Sequence, residues 1–173
     1  MALIKTIRGN VSPKFGKNVF LADNATVIGE VELGDNCSVW FNAVVRGDVH
    51  YIKVGDNTNI QDLACIHCSY QTHPTTIGSN VTIGHKAMIH GCTIEDNCLI
   101  GMNSVLLDGV VVKEGAIVAA GAVVLENTVV ESGTIYAGIP AKKVKEIGDR
   151  KEMIQRIGEN YYQKYATWYK EEE

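Results

Sequence analysis

An aliphatic side chain returns at every sixth residue through most of this chain, and no other feature narrows its fold so far. From Leu21 the step runs Val27, Leu33, Val39, Val45. It slips by three residues and resumes at Val54, Ile60, Ile66, then slips by five and resumes at Ile77, Ile83, Ile89. After the loss of one residue it continues Ile94, Ile100, Leu106, Val112, Val118, Val124, Val130, Tyr136. Nineteen register positions hold eighteen aliphatic residues and one tyrosine. Helices repeat at 3.6 residues and strands at two, so neither alone explains the pattern. A period of six belongs to a β-solenoid, where each hexapeptide supplies a short strand and a corner and stacked coils bury one continuous core.

The register divides the chain. Residues 1–20 form a lead-in with turn residues (Gly9-Asn10, Ser12-Pro13, Gly16), and its Ile4, Ile7 and Val11 are placed to cover the first open coil. The solenoid runs over 21–140, with corners at Gly-Asp-Asn, Gly-Ser-Asn and Glu-Asp-Asn (34–36, 55–57, 78–80, 95–97), residue types that tolerate left-handed backbone. Over 145–170 the spacing predicts one helix, because Ile154, Ile157, Tyr161, Tyr165 and Trp168 follow at intervals of 3, 4, 4 and 3. Its apolar stripe is suited to covering the solenoid. At 173 residues the chain is one domain. A net charge of −4 without a basic stripe excludes a nucleic-acid surface. The opening MALIKTIRGN is no signal stretch, and no apolar run reaches membrane length, so the expectation is a cytoplasmic protein. Five cysteines, an odd number, are expected as reduced thiols. Cys37 and Cys98 occupy a slot otherwise held by small residues such as Ala25, Ala64 and Ala116, and read as buried corner fillers. Cys65, Cys68 and Cys92 lie outside that slot and read as bystanders, since the one Cys-x-x-Cys has no second pair to complete a zinc site.

The pattern aliphatic-Gly-x-x-small-x, closing on Tyr-Ala-Gly-Ile-Pro-Ala-Lys at 136–142, resembles the left-handed parallel β-helix of hexapeptide-repeat proteins. The resemblance covers about Leu21 to the C-terminus. It implies an all-β solenoid shaped as a triangular prism, three hexapeptides per coil, and homotrimers. The left hand comes from the resemblance alone, because crossover rules favour the right. With three hexapeptides per coil, Val45, Ile66 and Ile89 stack on one face and the two longer gaps become loops. The residue after an inward one points outward, so Arg46, His67 and His90 form an outward column with coils about 4.8 Å apart. Two imidazoles so placed can share one metal, given bonds of about 2.0–2.1 Å. Ile60 and Ile83 fall on the preceding face, which stacks Asp62 on His85. One subunit is therefore not expected to gather all three histidines, whereas a threefold trimer sets His85 of one chain against the His67 and His90 column of the next. Three histidines with an open position make the ligand set of a catalytic zinc site. His50 and His73 read by default as solvated loop residues.

Arg46-Gly47-Asp48, Asn59-Ile60-Gln61-Asp62, His67, Gly84-His85 and His90-Gly91-Cys92 together resemble the signature of the γ-class carbonic anhydrases. That resemblance implies Zn2+ held by His67, His85 and His90, with Fe2+ or Co2+ also feasible. It implies that Gln61 hydrogen-bonds a metal-bound hydroxide, that Arg46, Asp48 and Asp62 form an intersubunit ion-pair network, and that Asn59 lines the pocket. The implied reaction is the reversible hydration of CO2 to bicarbonate, that of a carbonate dehydratase (a lyase). The chain departs from the active members whose proton-transfer glutamate stands beside the Arg-Gly-Asp segment: Val49 is there instead, and Cys68 to Thr76 contains no carboxylate. His73 and His50 are stand-in shuttle candidates, because a free imidazole exchanges protons near neutrality, as is Tyr136 on resemblance. The competing readings are an acyl- or acetyltransferase or thioesterase acting on acyl-CoA, and a low-activity metal-binding or assembly protein.

Overall fold

The structure, a computed structural model, describes residues 1–147, 150–158 and 164–170. Within each hexapeptide the strand is commonly two residues long, so one side chain faces inward and the next outward. The inward one is the register residue: Val27 through Tyr136 are all buried in one core, and only Leu21, at the open end, is partly buried. The result is a parallel β-solenoid of about seven turns with short helical structure at its C-terminus.

Strand pairing sorts the coils into three faces. The first stacks Phe20–Leu21, Ser38–Val39, Asn59–Ile60, Thr82–Ile83, Leu99–Ile100, Ile117–Val118 and Thr134–Ala137. On the second face Val27 pairs with Val45, Val45 with Ile66, Ile66 with Ile89, Ile89 with Leu106 and Leu106 with Val124. On the third, Leu33 pairs with Val54, Val54 with Ile77, Ile77 with Ile94, Ile94 with Val112 and Val112 with Val130. Two long strands, Thr26–Leu33 and Val44–Val54, bend round the corner and belong to both of these faces. All three slips of the sequence register fall at that one corner: Val45 to Val54, Ile66 to Ile77, Ile89 to Ile94. Chain length therefore varies only where it does not disturb the stack, and the variable corner begins at Arg46, His67 and His90.

The corners use the residues the sequence marks for them. Asn18, Asn36, Asn57, Asn80 and Asn97 all have φ near +57°, and the first four are linked by side-chain amide bonds of 3.2–3.3 Å. Beside this ladder Gly34 and Gly78 lie against the backbone N of Asp56 and Asp96, 2.8 Å from where a Cβ would sit, so no larger residue fits.

Two sequence expectations are corrected at the ends. The lead-in does more than cover the first coil: Leu3–Lys5 pairs in parallel with Thr26–Ile28, and Lys14–Phe15 with Glu32–Leu33, extending the second and third faces. Ile4 is exposed there, because an end strand has a neighbour on one side only. The helix does not begin at Lys145. Lys142–Glu146 is a strand that pairs antiparallel with Thr134–Ala137 and covers the last open edge of the first face. Helix occupies Lys151–Arg156 and Lys164–Lys170. Ile154 is buried as the stripe requires, but Trp168 is exposed and Ala166 is buried in its place. Tyr161 lies outside the described residues. Ala166 joins Phe20, Ala22 and Trp40 in a small second core over the first face, and Tyr169 meets Trp40 and Phe41 edge-on at 5.8 and 5.6 Å.

Candidate metal centre

Because Ile66 and Ile89 pair without a slip, His67 and His90 stand directly side by side on adjacent strands. Their rings are 5.1 Å apart, with His67 Nδ1 3.1 Å from His90 Nε2. A carboxylate stands at each end of the pair: Asp48 Oδ1 lies 3.0 Å from His67 Nε2, and Asp108 Oδ1 lies 2.7 Å from His90 Nδ1. All three contacts become hydrogen bonds only with one proton on each nitrogen facing a carboxylate and a third between the rings. Asp48 also accepts from Arg46 Nη1 at 2.5 Å. Partial burial acts to raise the Asp48 carboxyl, but the bonds from His67 and Arg46 together outweigh it and hold its pKa below the usual value. Asp108 is likewise raised by burial and lowered further by Ser69 and His90. Thr75, fully buried, ties the strand ends together by donating to the carbonyl of His67 and accepting from the Gly91 N–H.

His85 stands elsewhere. The bonds Leu63 N to Phe41 O, Lys86 N to Asp62 O and Asn103 N to His85 O stack Phe41, Asp62, His85 and Met102 along the corner between the first and second faces. His67 and His90 thus mark one edge of the second face and His85 the other. The His85 ring faces Asp62, Nδ1 to Oδ2 at 2.8 Å, so Asp62 is engaged with a histidine rather than with Arg46 inside the chain. Gln61 is buried and tied at both ends, accepting from the His85 backbone N–H at 3.1 Å and donating to Asn59 Oδ1 at 3.2 Å. Asn59 is 1% exposed and bonded to Thr82 Oγ1, so within one chain it braces Gln61 rather than lining an open pocket. Among the described residues of one chain, no three His, Cys, Asp or Glu side chains form a group able to hold a metal.

Asp108 and Ser69 escape the sequence reading, although their side chains bond to each other and Asp108 bonds to His90. The signal available was position: Asp108 falls one coil beyond Gly91, the residue after His90. His73, read from sequence as loop decoration, lies with Nδ1 3.8 Å from Asp108 Oδ2. His50 accepts from the Tyr51 N–H and stacks edge-on with that ring. Tyr136 is no neighbour of the histidines. It fills an inward register slot, buried in the core, and the strands at Ile100 and Val118 separate it from Ile83.

Two nitrogens bound to one tetrahedral metal at about 2.0–2.1 Å lie roughly 3.3 Å apart. The 3.1 Å His67–His90 pair already meets that spacing, and imidazoles backed by carboxylates are a donor set that zinc, iron and cobalt accept. Known proteins resemble the chain over most of its length. A family model described as bacterial transferase hexapeptide (six repeats) matches residues 12–47 and 91–126. The carbonic anhydrase of Geobacillus kaustophilus is 44% identical over 161 residues, 92% of this chain and 87% of that protein. Gamma carbonic anhydrase 2, mitochondrial, of Arabidopsis thaliana is 47% identical over 156 residues, 87% of this chain and 56% of that protein. This chain belongs to the hexapeptide-repeat family that includes the γ carbonic anhydrases. A crystal structure from the same repeat family, a hexapeptide transferase family protein from Anaplasma phagocytophilum, superposes with a TM-score of 0.90 at 38% identity, covering 96% of this chain and 98% of that one.

Proposed function

We propose that this chain is a metal-dependent enzyme of the carbonic anhydrase type, hydrating CO2 reversibly, with His67, His85 and His90 as ligands at the subunit junctions of a homotrimer. The observation that carries the reading is the His67–His90 pair, two imidazole nitrogens 3.1 Å apart on an outward column with a carboxylate behind each. Placement supports the trimer, since His85 and the pair stand at opposite edges of one face and a threefold arrangement would set unlike edges together. Zinc first, or iron or cobalt, would supply a bound water of lowered pKa as a nucleophile at neutral pH. The chain's own residues do the rest. Gln61, held by His85 N–H and Asn59, presents its amide in one orientation beside His85. Asp48 holds His67 and Arg46 holds Asp48, so the ring does not swing away. With Val49 packed against the core and no carboxylate in 68–76, proton export is the weak step, and a modest turnover is expected.

Acyl transfer, favoured by the transferase name of the structural relative, needs a histidine free to act as general base. The facing His67 and His90 nitrogens, each ring backed by a carboxylate, form the arrangement of a ligand pair rather than of an isolated base, which favours the metal reading. The test is metal content per chain together with stopped-flow CO2 hydration on zinc- and iron-reconstituted protein. One metal per chain, with hydration lost on chelation, is the expected result. A bound metal without hydration would redirect the search to thioesters, and protein that takes up no metal would overturn the reading.

A further inference from the structure

We propose that Asp108 is a positioning residue of this metal site. It holds the Nδ1–H of His90, leaves Nε2 as the nitrogen free for a metal, and is itself held by Ser69. The inference rests on the metal-site reading above. Its basis is a contact between coils. Leu106 pairs with Ile89, and the Gly109 N–H donates to Gly91 O at 2.8 Å, so Asp108 sits one strand beyond Gly91. Gly91 has φ +56°, and a Cβ there would collide with Asp108 Oδ1. Only a residue without a side chain lets the carboxylate lean back across the corner to His90. One carboxylate oxygen then meets His90 Nδ1 at 2.7 Å, and the other accepts the Ser69 hydroxyl. The His90 nitrogen thus left, Nε2, is the one that faces His67. A carboxylate behind a ligating histidine fixes its tautomer and ring orientation and raises its basicity. Asp48 stands in the same relation to Arg46 and His67, but Asp108 comes from a later coil and has no arginine beside it; the Ser69 hydroxyl holds its second oxygen, with His73 Nδ1 3.8 Å away.

The test is the zinc dissociation constant, by chelator competition, of the wild type, Asp108→Ala, Asp108→Asn and Ser69→Ala, with the visible spectrum of each cobalt-substituted protein. Loss of the carboxylate should weaken zinc binding about 10–100-fold. Asp108→Asn keeps an acceptor oxygen and should fall between Asp108→Ala and the wild type. Ser69→Ala should lose severalfold, and the cobalt spectrum should shift in the same order. A role confined to corner packing would change thermal stability and leave both metal readouts in place. Wild-type protein that binds zinc, with Asp108→Ala within twofold of it, overturns the inference and leaves the metal site standing. If Asp108→Ala does not fold, wild-type affinity in both other variants overturns it equally. Wild-type protein that binds no zinc overturns the metal site, and this inference with it.

Discussion

Cys37, Cys92 and Cys98 are buried free thiols, and burial pushes their pKa values up to about 11, 12 and 12. The thiolate is the reactive form, so at pH 8 these three should label with a disulfide reagent only as fast as the chain unfolds, while denaturant exposes all five. Rapid labelling of all five in native protein would contradict this burial. The sequence places Cys37 and Cys98 because their slot is otherwise filled by small residues. It does not place Asp108. Asp35, Asp56 and Asp96 also stand at corners, where Oδ1 of each accepts a backbone N–H from a neighbouring coil. What separates Asp108 from them is a histidine within 2.7 Å on the neighbouring strand, and no spacing rule announces that.

The strand Cys65–His67 serves core and site at once, with Ile66 fully buried and His67 beside it facing out. Ile66→Ala should cost about 2–5 kcal/mol in denaturant unfolding, through lost burial and the cavity left behind. Ile4→Ala, at an exposed end-strand position, should stay within about 0.5 kcal/mol. Equal losses for the two would contradict the inward register. The segment 142–146 shows where local pattern fails. Lys142 to Glu146 is charge-rich and continues into a helical stripe, yet it forms a strand because Thr134–Ala137 would otherwise leave an open edge. The same holds at the other end, where Leu3–Lys5 finds its partner some twenty residues later, at Thr26–Ile28.

At the scale of the whole molecule, the proposed centre would draw its ligands from both edges of the second face, and so from two chains. Chains carrying His85→Ala and chains carrying His90→Ala should each bind no metal as homotrimers. Unfolded together in equal amounts and refolded, they should regain about a quarter of the sites, because a junction is intact when an unaltered His85 meets an unaltered His67–His90 pair. Metal analysis of the refolded mixture measures this. No recovery would place the three ligands within one chain and overturn the intersubunit arrangement.

The six-residue period determines, by itself, the solenoid and its inward residues; with the three hexapeptides per coil that the family resemblance implies, it also stacks Arg46, His67 and His90 in one outward column, because in a solenoid the distance between stacked residues is set by local count. Repetition also makes the slips at 45–54, 66–77 and 89–94 visible as insertions and a deletion. Tertiary structure alone decides that Asn59 is buried against Gln61 and braces it, and that Asp108 reaches over Gly91 to His90. These depend on which side chain faces which across a strand boundary, a matter of ångströms and rotamers that no residue spacing carries.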